Sequence, residues 1–265
     1  MTRMSLLLSP LLLLVAGTAL ADEKQCAHSA PKSLQLDYSG VRTVAFSIGG
    51  NKLKLDAAPG TLATVAGRAC ASSADLLDQL GLCQEKRGDK LIVTAARTNT
   101  TSSWFGNNYA YMTLNATVPA DVAVEMSVGS GDTWITGTSS LHATVGSGDL
   151  EASRIRGSAS VSVGSGDASF NDVGSLDVRS VGSGDVNARN VRGAVKVGSI
   201  GSGDFELDGA GGNVDIGSIG SGDADLKRVT GHVTLGSVGS GDFSVDGVSG
   251  NLTVRSTGSG SVNHN

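Results

Sequence analysis

Residues 201–223 read GSGDFELDGAGGNVDIGSIGSGD, so this stretch begins and ends on the same four residues. Gly-Ser-Gly occurs eight times in the C-terminal half, at intervals of 17 to 19 residues, and Asp follows every copy except the last. The copies begin at Gly129, Gly146, Gly164, Gly182, Gly201, Gly220, Gly239 and Gly258. A regular period of this length indicates a repeat architecture in which each unit packs on its neighbours.

Each repeat carries two runs in which apolar residues alternate with polar residues or glycine, which is the period of a β-strand. Phe205 and Leu207 begin the first run, and Val214 and Ile216 begin the second, after Gly212. The next repeat has Ala224, Leu226, Val233 and Leu235 in the same columns. No single repeat can bury these side chains alone. The pattern therefore predicts an all-β fold, a single-chain parallel β-solenoid whose coils of 18–19 residues stack about 4.8 Å apart, with the handedness left open.

The chain divides into three predicted parts. Residues 1–21 are typical of a signal peptide, because Arg3 precedes an apolar run and Ala19-Leu20-Ala21 suits cleavage. Residues 22–128 predict irregular N-terminal β coils and a cap, and residues 129–265 predict regular repeats continuous with them. Strands are expected at 52–55, 90–95, 109–118 and 122–128, a turn at 119–121, and a short helix or a loop at 74–82. No later segment is apolar enough to span a membrane.

Composition supports thin coils and excludes some partners. The chain has 38 Gly, and aromatic residues make up 4% of it, which is too little large side-chain volume for a deep globular core. The formal net charge of −5 disfavours nucleic acid and anionic lipid as partners.

The three cysteines lie in the first third of the chain, at Cys26, Cys70 and Cys83. In an exported protein two of them are expected to form a disulfide, leaving one over. Cys70–Cys83 closes the shorter loop, whereas Cys26–Cys70 would pin the N-terminal segment. The sequence does not choose between these pairs.

The Asp that follows each Gly-Ser-Gly is the main candidate for chemistry. Stacked coils would place Asp132, Asp149, Asp167, Asp185, Asp204, Asp223 and Asp242 in one column. Neighbouring carboxylates repel by roughly 1 kcal/mol in water. We expect each carboxylate to offset this by accepting hydrogen bonds from its own glycine-rich corner. The alternative is weak calcium binding, for which the candidate ligands are Asp149, Asp167, Asp185, Asp204, Asp223 and Asp242. No other cofactor is expected.

Catalytic motifs are missing from the sequence. There is no Gly-x-Ser-x-Gly elbow, and the Gly-Ser-Gly loops lack the Lys and the following helix of a phosphate-binding loop. His28, His142, His232 and His264 have no metal-ligand spacing. We therefore predict no catalytic residue and no enzyme activity.

The Val-Pro-Ala-Asp at residues 118–121 and the repeated Val-Gly-Ser-Gly-Asp resemble a bacterial exported β-strand-repeat family of unknown function, labelled "putative adhesin". The resemblance covers roughly residues 35–262 and implies a β-solenoid in the cell envelope. It carries over no catalytic residue.

These observations predict a non-catalytic protein, periplasmic, secreted or at the cell surface. It would act as an interaction, adhesin-like or scaffold protein that contacts an envelope protein or a glycan. The alternatives are a polysaccharide-acting enzyme on a β-helix and a cation-stabilised structural module. The C-terminal repeat has no atypical closing segment, so that end is expected to be frayed, or covered by a second copy or another envelope protein.

Overall fold

The structure is a computed structural model, and it describes residues 26–98 and 108–265. The predicted signal peptide lies outside the described residues. The elements are β1 (His28–Gln35), β2 (Thr43–Gly49), β3 (Lys52–Ala58), β4 (Thr64–Ala71), α1 (Ala74–Asp78), β5 (Leu80–Arg87), β6 (Lys90–Arg97), β7 (Ala110–Pro119), β8 (Ala123–Val128), β9 (Thr133–Thr136), β10 (Ser140–Val145), β11 (Leu150–Val163), β12 (Ala168–Val181), β13 (Val186–Val191), β14 (Val195–Ile200), β15 (Phe205–Ala210), β16 (Val214–Ile219), β17 (Ala224–Val229), β18 (Val233–Val238), β19 (Asp242–Val248), β20 (Leu252–Thr257) and β21 (Ser261–His264).

The regular half is a parallel β-solenoid, as predicted. Strands that precede a Gly-Ser-Gly corner stack as ladder 1, which contains β8, β10, the second halves of β11 and β12, β14, β16, β18 and β20. Strands that follow a corner stack as ladder 2, which contains β9, the first halves of β11 and β12, β13, β15, β17, β19 and β21. Equivalent residues of successive coils lie in register.

The core lies between the two ladders. Coil 205–219 buries six side chains, each at most 3% exposed: Phe205, Leu207, Ala210, Val214, Ile216 and Ile219. Phe205, Leu207, Val214 and Ile216 occupy the four alternating columns predicted from the repeat, and Ala210 and Ile219 add one buried side chain at the end of each strand. In one column a small side chain lies between two large ones, since Ala224 pairs with Phe205 on one side and Phe243 on the other. Full burial of each large aliphatic or aromatic side chain contributes about 1.5–3 kcal/mol.

The Gly-Ser-Gly corners stack so closely that the second glycine has no room for a side chain. A Cβ on Gly203 would lie 1.8 Å from the carbonyl oxygen of Gly184 in the preceding coil. The second glycines of the other corners meet the same obstacle at 1.8 to 1.9 Å. The motif therefore preserves the spacing of the coils.

A further corner, within ladder 2, was not anticipated. One residue per coil adopts a positive φ there: Gly137, Arg154, Asp172, Asn190, Gly209, Arg228 and Gly247. Four of these residues are not glycine, so the sequence does not indicate the left-handed backbone conformation that the corner requires.

The N-terminal coils do not follow chain order. Strand β2 lies between β6 and β8, with Val44 opposite both Leu91 and Val124. Strand β3 likewise lies between β7 and β9. The coil formed by residues 43–58 is thus enclosed by two coils that come later in the sequence.

Antiparallel strands close this end of the solenoid. Strand β5 pairs with β6 at the edge of ladder 1, and β4 and β1 extend ladder 2 beyond β7. Helix α1 contacts β1, β4 and β5, so the segment 74–82 contains a short helix and the start of a strand. The disulfide joins Cys26 to Cys70, with the Cα atoms 5.5 Å apart, and ties the start of β1 to β4. The alternative pair Cys70–Cys83 is therefore wrong, and Cys83 is a free, exposed thiol.

The last coil is ordered and not frayed. Strand β21 pairs in register with β19, and the Asn265 N–H donates to the Val245 carbonyl at 3.0 Å. Leu252 and Val254 of β20 are only partly buried. Self-association at this end stays a prediction. Among the residues that the structure describes, no helix is long and apolar enough to cross a lipid bilayer.

Candidate binding face along ladder 2

The Asp column has different hydrogen-bond partners from those expected. The Oδ1 atom of Asp204 accepts the backbone N–H of Asp223, the equivalent residue of the next coil, at 2.9 Å. The same bond recurs along the column at 2.8 to 3.4 Å, from Asp149 to the Ser261 N–H. The expectation that each Asp caps its own corner is thus wrong. In the register of the solenoid, the N–H that each carboxylate reaches belongs to the next coil.

The column begins with an ion pair. Lys52 Nζ lies 2.9 Å from Asp132 Oδ2, and this hydrogen bond with its charge raises the pKa of Lys52. At the other end Ser261 replaces Asp, and its Oγ donates to Asp242 Oδ1 at 2.8 Å. The carboxylates therefore join neighbouring coils through hydrogen bonds.

The described carboxylates are not grouped around one point, as the ligands of a calcium ion usually are. Among the described residues no three His, Cys, Asp or Glu side chains are grouped to hold a metal ion. The column supplies one carboxylate per coil, and from Asp149 to Asp242 one oxygen of each already accepts a backbone N–H. Weak calcium binding by Asp149, Asp167, Asp185, Asp204, Asp223 and Asp242 stays a prediction.

His232 is part of a second row of inter-coil bonds. Its backbone N–H donates to Asn213 Oδ1 at 3.0 Å, and its Nδ1 accepts the N–H of Asn251 at 3.0 Å. The imidazole is exposed, but its Nδ1 atom already accepts a hydrogen bond from the next coil. The side chain therefore joins two coils and is not positioned to act as a base.

The outward face of ladder 2 carries a groove along the solenoid axis. One depression of about 320 Å³ is bordered by Asp132, Trp134, Asp149, Glu151, Asp167 and Ser169. A second, of about 630 Å³, is bordered by Glu151, Ser153, Ser169, Asn171, Asn187, Arg189 and Asn190. The two share Glu151 and Ser169, so they form one groove across four coils. We call it the ladder 2 groove.

The depth of the ladder 2 groove follows from side-chain length. Trp134, Glu151, Ser169 and Asn187 are opposite one another in register on successive strands. Ser169 is the shortest of the four and forms the floor, while the longer side chains form the walls. Sequence reasoning missed this site, because the column of unlike residues shows no motif until the register is known.

No protein-family model matches the sequence, and no curated protein matches it. The fold is similar to solved structures. A "putative adhesin" from Parabacteroides distasonis has a TM-score of 0.53 and 15% identity, over 90% of this chain and 97% of that one. A "putative adhesin" from Parabacteroides merdae has a TM-score of 0.54 and 11% identity, over 90% and 97%. A "putative lipid binding protein" from P. distasonis has a TM-score of 0.50 and 14% identity, over 89% and 96%. At these identities the likeness shows the fold.

Proposed function

We propose that this protein is an exported, non-catalytic, adhesin-like interaction module that binds another envelope molecule through the ladder 2 groove. The observation that carries the proposal is the groove itself, a polar depression across four coils of a rigid scaffold. Stacked coils hold its walls in fixed register, which keeps the ordering cost of binding low.

The similar solved structures support the adhesin-like role only through their shared fold. Two of the similar solved structures are described as adhesins, and a shared fold does not by itself transfer function. Export is supported by the predicted signal peptide and by a disulfide, which is typical of proteins outside the cytoplasm.

The test is saturable binding of the labelled protein, lacking only the predicted signal peptide, to envelope fractions. Ser169→Trp would fill the floor of the groove and is expected to abolish binding. Thr234→Trp is the matched control, because Thr234 is an outward, half-buried residue of ladder 1, and it should bind like the parent. Absence of saturable binding, or equal loss in both variants, would refute the proposal.

A further inference from the structure

Trp134 gives the ladder 2 groove an exposed aromatic surface. Its side chain is 40% exposed, and among the described residues only Leu62 and Tyr109 are other large apolar side chains with comparable exposure. In register the indole lies between Lys54 on β3 and Glu151 on β11. A flat apolar ring is therefore flanked by charged side chains at one end of a polar groove.

Four polar side chains of the groove lack partners within the described chain. Glu151, Ser169, Asn187 and Arg189 make no side-chain hydrogen bond or ion pair to any residue that the structure describes. Beyond the groove, the same face carries two ion pairs between neighbouring coils. Lys227 Nζ lies 3.8 Å from Glu206, and Arg228 lies 2.6 Å from Asp208.

The four unpaired side chains indicate where a ligand would bind. The unpaired groove side chains offer carboxylate acceptors, an amide that both donates and accepts, and a guanidinium donor. An aromatic ring beside several convergent polar groups is typical of a site that orients a ligand with both an apolar surface and many hydroxyls. A sugar ring has this combination, since its C–H face is apolar and its edge is hydroxylated.

The charges restrict the class of sugar. Asp132, Asp149, Glu151 and Asp167 surround the indole end of the groove, so a polyanionic chain would be repelled. A protein partner is less favoured, because stable protein interfaces are centred on a buried cluster of apolar or aromatic anchors. The groove offers one exposed aromatic side chain, Trp134, because Leu150 and Phe170 in its lining are each only 2% exposed.

We infer that the ladder 2 groove binds a neutral or amino-sugar glycan chain, with one ring stacked on Trp134 and the following units hydrogen-bonded along Glu151, Ser169 and Asn187. Successive coils present equivalent positions about 4.8 Å apart, so a linear chain of repeating units lying along the axis meets a new set of groups at each coil. This inference rests on the proposed function and names its partner class.

The test uses the full protein without the predicted signal peptide and with Trp104→Phe, which leaves Trp134 as the only tryptophan. The probes are the tetrasaccharides of β-linked glucose, mannose and N-acetylglucosamine, with oligogalacturonate as the anionic comparator. At least one of the three tetrasaccharides should change the Trp134 emission and protect it from acrylamide quenching. Oligogalacturonate should do neither.

Calorimetry on single variants then locates the site. Trp134→Ala should weaken binding by about tenfold or more, as expected for a central aromatic anchor, and Glu151→Ala should weaken it severalfold. Leu62→Ala is the control, because it removes an exposed apolar side chain that does not border the groove, and its affinity should match the parent. The glycan inference is overturned if no tetrasaccharide binds at millimolar concentration, if Trp134→Ala binds like the parent, or if oligogalacturonate binds best.

The envelope assay separates this inference from the proposed function. Digestion of the envelopes with glycosidases that cleave β-linked glucose, mannose and N-acetylglucosamine chains should abolish binding if the ligand is such a glycan, whereas protease treatment should not. Saturable binding that survives the glycosidases and is lost on proteolysis overturns the glycan inference and leaves the interaction function standing. If the parent protein shows no saturable binding to untreated envelopes, both the proposed function and the glycan inference are refuted.

Discussion

Replacement of Gly203 by Ala tests the stacking of the Gly-Ser-Gly corners. The new Cβ would lie 1.8 Å from the Gly184 carbonyl oxygen, whereas real Cβ atoms essentially never approach closer than 3.0 Å. The two corners must therefore separate by at least 1.2 Å (3.0 − 1.8). The backbone fixes the position of the Cβ, and the Gly184 oxygen is itself a backbone atom, so no side-chain rotation can relieve the contact.

The cost follows from the bonds that this separation breaks. The N–H groups of Ser202 and Gly203 donate to the Gly182 carbonyl at 2.8 and 3.1 Å, and both would lengthen beyond hydrogen-bond range. Two lost bonds cost about 1 kcal/mol each, and the residual overpacking adds about 1–3 kcal/mol. We expect a loss of about 3–5 kcal/mol in the free energy of unfolding.

Urea unfolding followed by circular dichroism measures this loss. Gly81→Ala is the control, because a Cβ there meets its nearest atom at 4.0 Å and φ is not positive. Its stability should stay within about 0.5 kcal/mol of the parent. If Gly203→Ala also stays within that margin, the corners do not stack as described and the reasoning fails.

Four other outcomes are expected. Ile216→Asp, at a position only 2% exposed, should remove the cooperative thermal transition, because it places an unpaired charge in the core; an unchanged melt contradicts the register. Asp204→Asn keeps the acceptor for the Asp223 N–H and should leave urea stability unchanged or slightly higher, while Asp204→Ala should lose about 1 kcal/mol; equal effects would argue against the inter-coil bond. Thr138→Val should gain about 1 kcal/mol, because the buried hydroxyl has no partner among the described residues; a loss in urea unfolding would show that the hydroxyl is satisfied. Thermal melts of the parent with calcium and with chelator should coincide, and a rise of several degrees with calcium would instead support cation binding by the Asp column.

The sequence predicts the regular half of the fold well for a physical reason. Side chains such as Val214 and Ile216 alternate with a period of two, and the repeat length then places them in register with Val233 and Leu235. Pairing across one coil is local, so the pattern contains all the information that stacking requires.

Other features depend on details of hydrogen bonding, backbone conformation and side-chain length that the alternating pattern does not contain. The predicted hydrogen-bond partner of each Asp was wrong, because the carboxylate accepts an N–H of the next coil. Asp204, for example, accepts the N–H of Asp223. The left-handed corner was missed because Arg154 and Arg228 adopt a conformation usually indicated by glycine. The ladder 2 groove depends on the short Ser169 lying between longer side chains of neighbouring coils, which is visible only once the register is known.

The enclosed position of β2 and β3 governs the order in which the molecule can fold. Residues 43–58 find their parallel neighbours only after residues 90–136 have been synthesised, and Val44 pairs with Val124 across 80 positions (124 − 44). Closing such long loops slows folding. Each later coil joins a neighbour only 17 to 19 residues away. Refolding should therefore wait on one slow, non-local nucleus at the N-terminal end, from which the remaining coils add rapidly in sequence.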